Sequence, residues 1–442
     1  MEAALAGVTP ERVGAVLEPL GLTLSSLAPF VTPFADGDNV AGECSFEPGL
    51  VHGPVPQRRF ANNAIFSVAA ASSDSGEQQP LILRICNTHA WRRGRMTSNE
   101  VASMRWAAAH GVPHVPRVLA FSSDAGESPL GCEFILMERL PGRPLRSLLE
   151  QAAEGERREL RAKIAPQLRE WLAALAAVPR PPGGCGGGPL ASLRIADDGA
   201  VLADRPGWFH HELPPLGEES CAGLAALTSA VLRDCVARLR SEPDSREAAE
   251  RALQAVKEPE DDALLAILTF WRASALKGDH ADRLQWCEVL QRVVAEDCEA
   301  YRESYEPEGL SEQWTRLCHN DLCANNILVE DGRLVGVVDW ESAMWGLTDK
   351  DCEEFGEIAA TSDAADCGSG LPVAPGAAQR RRLMGVIGGV KCLYHSNASW
   401  YSWCNEPLMR AAMDLRRKVK FEEVFWQGWA RRDPSAVPAS MM

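Results

Sequence analysis

The chain has 442 residues, a formal net charge of −16 and 14 cysteines. At about 150 residues per domain, that length allows two or three domains, each able to bury a core without covalent staples. The 61 acidic residues against 45 basic ones exclude a sequence-independent grip on DNA or RNA and on an anionic membrane surface. A single nucleotide, read by a few local charges, stays open.

No apolar run reaches the roughly 18 residues of a membrane span. The first residues carry Glu2, Glu11 and Glu18 against Arg12, which fits neither a secretory signal nor a transit peptide. The cysteines form no CxxC pair and no paired Cys/His metal spacing, so they read as reduced thiols of a cytoplasmic protein.

Thr9-Pro10-Glu11 opens a helix with a capping hydroxyl, a proline at the first position and an acid in the first turn. Val13, Val16, Leu17 and Leu20 share one face, and Gly21 ends it. A Gly- and Pro-containing segment follows to about Arg59. Strands are then predicted at Ala64–Val68 and Leu81–Ile85. Thr97-Ser98-Asn99-Glu100 has the form of a capping box ahead of a helix that should stop at Gly111. Val118–Phe121 and Glu133–Met137 read as two further strands, and Leu140-Pro141-Gly142 breaks the chain.

Beyond Pro144 the pattern turns helical. Leu160, Ile164, Leu168, Leu172 and Leu175 keep a helical period, with Pro166 expected to kink or split it. Pro179–Pro189 is a glycine-rich loop, and further helices are predicted around 222–240, 245–257, 262–276 and 283–304. Asn326–Val329 and Leu334–Asp339 flank Asp331-Gly332 and read as a hairpin. A second loop is expected from Ser362 to Gly376. Trp400, Tyr401 and Trp403 read as helix packing before an acceptor pocket.

The chemistry concentrates in His319-Asn320-Asp321-Leu322-Cys323-Ala324-Asn325-Asn326 and, across the hairpin, Asp339-Trp340-Glu341. The hairpin brings its two ends together, so Asp321, Asn326 and Asp339 should converge. Two hard oxygen ligands suit Mg²⁺ on phosphate oxygens, and a further carboxylate can accept a hydroxyl proton. The buried, hydrogen-bonded role is expected of His319.

This HxDxxxxN motif with a hydrophobic hairpin and DWE resembles the aminoglycoside phosphotransferase / choline kinase family. The resemblance spans roughly residues 58–360. It implies an α+β, two-lobed protein-kinase-like fold, with a small antiparallel β lobe and a larger, mostly helical lobe. The lobes would follow an N-terminal extension at 1–57, with the small nucleotide-binding lobe at 58–139. The large lobe at 140–442 would carry the catalytic loop and acceptor site. It implies transfer of the γ-phosphate of ATP, with Mg²⁺, to a hydroxyl of a small-molecule acceptor. Asp321 would be the catalytic base, and Asn326 and Asp339 the metal ligands. Arg84 would be the phosphate-binding cation and Glu100 its helix partner. Asn63 would stand in the phosphate loop, and backbone near Glu138 and Leu140 would meet the adenine.

Three positions depart from the family. Arg84 stands where lysine is usual, and the chain has no lysine before Lys163. The loop Arg58–Ala64 has no glycine, although Asn62 and Asn63 tolerate positive φ. Asn320 replaces a commoner glycine. Arg84 and the glycine-free loop motivate an alternative, a nucleotide-binding pseudokinase with little turnover. Glu100 also keeps two readings, capping Thr97 or pairing with Arg84.

Overall fold

The computed structural model describes residues 8–29, 63–86, 95–183, 190–203, 313–359, 368–377 and 380. The chain divides into two compact units, Met1–Pro215 with Ser311–Ala374, and Leu216–Leu310 with Pro375–Met442. All elements below belong to the first unit; of the second, only 375–377 and 380 are described. The helices expected at 222–304, residues 184–189 of the glycine-rich loop, residues 362–367 and the Trp400–Trp403 cluster lie outside the described residues.

The first helix, α1 (Pro10–Leu17), begins as its sequence predicts. Thr9 Oγ1 accepts the backbone N–H of Arg12 at 3.4 Å, and Val13, Val16 and Leu17 are buried. A short 3₁₀ turn (Glu18–Leu20) follows and ends on Gly21 at φ 68°. The start of the Gly- and Pro-containing segment, for which no strand is predicted, forms β1 (Leu22–Pro29). Its alternation is hard to read because the pairing register shifts between Leu24 and Ser26, which breaks the period of two.

β1 joins β2 (Asn63–Ser72), β3 (Gln78–Cys86), β4 (Val118–Ser122) and β5 (Phe134–Glu138). They make one antiparallel sheet in the order β1-β2-β3-β5-β4. Residues assigned by sequence to an N-terminal extension thus supply a strand and a covering helix to the small sheet. One face buries Leu81, Leu83, Ile85, Phe134 and Leu136 together with Val13, Val16 and Leu17 of α1. Side chains alternate across a strand, so Arg84 lies on the opposite face, paired in register with Ile135. Ile135 belongs to a second core shared with Val101, Met104 and Ala107.

Those three residues lie on α2 (Arg95–Ala109). The helix starts two residues before Thr97, so the expected capping box does not form. Thr97 Oγ1 instead donates to the buried carboxylate of Glu133 at 2.8 Å. Gly111, at φ 81°, follows the helix end as predicted.

The helical part begins with β6 (Arg143–Pro144), α3 (Leu145–Gln151) and α4 (Glu154–Ala176). Pro166 does not split α4, which runs through it as one helix of 23 residues. A proline costs a helix one hydrogen bond and a steric clash, but here Ile164, Leu168, Trp171, Leu172 and Leu175 bury a continuous stripe that offsets it. Four short strands escape the sequence pattern: β7 (Leu193–Ile195), β8 (Val201–Ala203), β9 (Thr315–Cys318) and β12 (Met344–Leu347). Between the last two stands the predicted hairpin, β10 (Ile327–Glu330) and β11 (Arg333–Val337). Its turn places Asp331 at φ 50° and Gly332 at φ 72°, the paired left-handed residues of a tight hairpin. The final described helix is α5 (Asp349–Ala359). No described helix is long and apolar enough to cross a membrane.

Candidate functional site

Two pairings bring the motif residues together. β9 pairs antiparallel with β12, with Cys318 opposite Met344, which sets the loop after Cys318 beside the segment 339–343. The β10–β11 hairpin closes the other side, and Val338 N–H donates to Asn326 O at 2.9 Å. Asp321, Asn326 and Asp339 therefore occupy one neighbourhood, as the hairpin argument predicts.

His319 is fully buried against Trp171 and Trp340, with ring centroids 6.3 and 5.0 Å away. Its Nδ1 lies 3.3 Å from the backbone N–H of Asp321, and its Nε2 lies 3.1 Å from Val338 O. A backbone N–H can only donate, so Nδ1 is the acceptor and Nε2 carries the proton. The ring is neutral, and burial lowers its pKa to about 4. Asn320 follows at φ 60°, a conformation glycine and asparagine tolerate best, which accounts for Asn where Gly is commoner.

Asp321 is half-buried. Its Oδ2 accepts from Asn326 Nδ2 at 2.9 Å, and the same amide donates to Asp321 O at 2.8 Å. Burial raises the Asp321 carboxyl well above its ordinary range, and the negative charges of Glu354, Asp339 and Glu341 push it further against the pull of Lys350. Asn326 Oδ1 has no hydrogen-bond partner among the described residues. Asp339 sits at φ 65° with its side chain 39% exposed.

Arg84 reaches this neighbourhood from β3. Its two terminal nitrogens divide between carboxylates, Nη1 bonding Glu100 and Nη2 bonding Glu341, with Asp339 Oδ1 3.4 Å from Nη2. Glu100 is therefore the partner of Arg84 and not the end of a capping box. Burial raises its carboxyl, while Arg84 pulls the other way. The next residue back, Asn99, ties α2 to the large part. Its Nδ2 donates to Ala343 O and its Oδ1 accepts Leu193 N–H, both at 2.7 Å.

Of the three buried carboxylates on α5, Asp349, Asp351 and Glu354, the last two bond the loop. Asp351 accepts the backbone N–H groups of His319 and Asn320 at 2.9 and 2.7 Å. Glu354 accepts that of Leu322 and is paired with Lys350 at 3.1 Å. Burial alone would lower Lys350, but Glu354 and Glu353 hold it raised. Cys323 lies in the same loop with its thiol pushed up to about 12 by burial and by the Asp321 charge, so it stays protonated.

Other expected residues stand apart. Asn63 opens β2 opposite Cys86. Glu138 is tied to the strand edge, its N–H donating to Arg117 O and its Oε1 accepting Arg117 N–H, both at 3.0 Å. Leu140 follows β5 without a backbone hydrogen bond among the described residues. The loop Arg58–Asn62 is outside them. Sequence reasoning missed Glu341, Lys350, Asp351 and Glu354. Glu341 stood in the DWE motif without a role, Asp351 looks like an ordinary first-turn acid, and Glu354 like a solvated helix residue.

Among the described residues, no cluster of three or more His, Cys, Asp or Glu side chains is arranged to hold a metal. Asn326 Oδ1 and the accessible Asp339 carboxylate are the two oxygens of the motif that could hold a metal. Such a pair suits an ion such as Mg²⁺, which keeps waters and takes its remaining ligands from phosphate.

The sequence profile of the phosphotransferase enzyme family (APH) matches residues 57–351, two thirds of the chain, and the chain belongs to that family. That family is one of phosphotransferase enzymes, and the described residues form an α+β fold. No curated protein matches it. Among solved structures it is similar to the aminoglycoside phosphotransferase APH(4)-Ia, at 14% identity and TM-score 0.41, over 91% of this chain and 99% of that one. It is also similar to spectinomycin phosphotransferase APH(9)-Ia, solved with ADP and spectinomycin, at 10% identity and TM-score 0.43, over 93% and 99%. A third is macrolide 2′-phosphotransferase MphH from Brachybacterium faecium, at 16% and 0.40, over 91% and 97%. What those proteins bind remains a property of those proteins.

Proposed function

We propose that the chain transfers the γ-phosphoryl group of ATP to a hydroxyl of a small-molecule acceptor. The observation that carries this reading is the joined set of Asp321 with Asn326, and Asp339 with Arg84. Asp321 accepts the proton of the attacking hydroxyl as its oxygen bonds phosphorus and ADP leaves. Its carboxyl is raised by burial and by the neighbouring charges of Glu354, Asp339 and Glu341. Asn326 orients that carboxylate. Arg84 stabilises charge on the phosphates, with Glu100 and Glu341 holding its guanidinium in place. An Mg²⁺ ion held by Asn326 and Asp339 would neutralise phosphate charge when the nucleotide is bound. Leu140, whose backbone groups have no partner among the described residues, and the end of β5 at Glu138 would meet the adenine, and Asn63 would border the phosphates. Positioning and charge neutralisation then supply most of the rate.

Cys132, Cys318, Cys323 and Cys352 are free thiols, which supports a cytoplasmic setting where ATP is available. The test is Mg·ATP turnover over aminoglycosides, choline, sugars and other alcohols, beside a thermal shift with Mg·ATP. Asp321→Asn is expected to lower turnover by about 10²- to 10⁴-fold while keeping the thermal shift. Turnover that survives Asp321→Asn overturns the reading. A thermal shift in a wild-type chain that turns over no acceptor favours the pseudokinase alternative.

A further inference from the structure

The stretch 319–322 that carries Asp321 lies outside helix and strand, yet the backbone donors of these four residues are all taken by side chains. The N–H groups of His319 and Asn320 go to Asp351, that of Asp321 goes to His319 Nδ1, and that of Leu322 goes to Glu354. A left-handed residue such as Asn320 persists only where its surroundings over-determine it. These four bonds do so.

Glu354 is the member that stability alone does not explain. It is 5% exposed, and a buried carboxylate is expensive unless paired and hydrogen-bonded. A buried apolar residue at this point of α5 would serve packing at least as well. It would, however, leave Leu322 N–H without its acceptor. Lys350, one turn earlier on the same helix, is 33% exposed and bonds the other carboxylate oxygen at 3.1 Å. Glu354 therefore has one oxygen on the loop and one on an anchoring cation, which leaves its carboxylate little rotational freedom. Leu322 is the residue next to Asp321. A shift of its peptide moves the Asp321 carboxylate relative to Asn326, whose amide spans Asp321 O and Oδ2.

We propose that Glu354, clamped by Lys350, is a positioning residue that sets the Asp321 carboxylate for phosphoryl transfer. The proposal rests on the reading of Asp321 as the base. Displacing a reacting group by about 1 Å costs on the order of 100-fold in rate. Glu354→Ala is accordingly expected to lower kcat by about 10- to 100-fold with KM for ATP within about twofold. Glu354→Gln keeps an oxygen for Leu322 N–H and is expected to recover most of kcat.

The experiment measures steady-state kinetics with Mg·ATP and an acceptor turned over by the wild type, and hydrogen exchange of the peptide spanning 319–326. In Glu354→Ala that peptide should exchange faster, while the peptides of β2, β3 and α2 keep their wild-type rates. If Glu354→Ala does not fold, Glu354→Asp withdraws the carboxylate by one methylene and is expected to show the same two effects more weakly. Wild-type exchange at 319–326 overturns the proposal, and so does a kcat within twofold of wild type in whichever variant folds. Asp321→Asn, measured in parallel, separates the two claims. If it loses turnover while Glu354→Ala keeps it, only the positioning role fails. If it keeps turnover, the reading of the base fails.

Discussion

His319 offers a prediction whose size follows from its surroundings. The ring is fully buried and neutral, with a folded-state pKa near 4 against an ordinary 6.5. Between those values the unfolded chain binds a proton that the folded chain refuses, so stability contributed by this residue is lost as pH falls through that window. At pH 5 the unfolded ring lies 1.5 units below its ordinary pKa, and each unit is worth about 1.36 kcal/mol, so the loss is about 2 kcal/mol. His319→Gln removes the titration. It also gives up the bonds to Asp321 N–H and Val338 O and the contact with Trp340, costing about 1–3 kcal/mol near pH 7.5. Urea denaturation of both proteins at pH 7.5 and pH 5 measures the difference. Other titrating groups are common to the two chains and largely cancel. The gap between wild type and variant should narrow by about 2 kcal/mol at the lower pH. A gap that does not change with pH would refute the neutral, buried histidine.

Four further substitutions test the scaffold around the site. Arg84→Met leaves Glu100, Glu341 and Asp339 without their shared cation and should cost about 3–5 kcal/mol in urea denaturation, against a negligible loss if the carboxylates do not depend on it. Arg84→Lys keeps the charge but cannot span both Glu100 and Glu341, and should lower kcat/KM for ATP by about 10-fold or more. Asn99→Ala strips a donor from Ala343 O and an acceptor from Leu193 N–H, for about 2–4 kcal/mol, and hydrogen exchange at Leu193 should accelerate. Gly142→Ala puts a side chain on a residue at φ 90°, with its Cβ 2.6 Å from Val335 Cγ2 and 2.9 Å from Val329 O. The backbone penalty alone is about 1–2 kcal/mol, and a melting temperature equal to wild type would contradict the geometry.

What the sequence makes legible is what short-range pattern encodes. Pro10 and Thr9 announce α1, and Asp331-Gly332 announces its hairpin, because cap and turn chemistry is decided within four residues. The convergence of Asn326 and Asp339 was readable for the same reason, since one hairpin places both, and Asp321 lies only five residues before Asn326. Where the pattern misleads, a distant partner has won. Thr97 through Glu100 satisfies the capping-box template, but Glu133 claims the hydroxyl and Arg84 claims the carboxylate, from 36 residues downstream and 16 upstream. β9 and β12 are too short to show alternation and are defined only by each other. The acids of α5 are the sharpest case. In sequence Asp349, Asp351 and Glu354 look like residues that favour a helix N-terminus and face water. Nothing near them shows that Asp351 and Glu354 are buried, because the groups they satisfy are backbone N–H donors 31 and 32 residues earlier. A backbone donor carries no residue identity, so a carboxylate chosen to meet one leaves no motif. The side chains that hold a catalytic loop in shape are thus the ones a motif search passes over, even when the residue they hold is found at once.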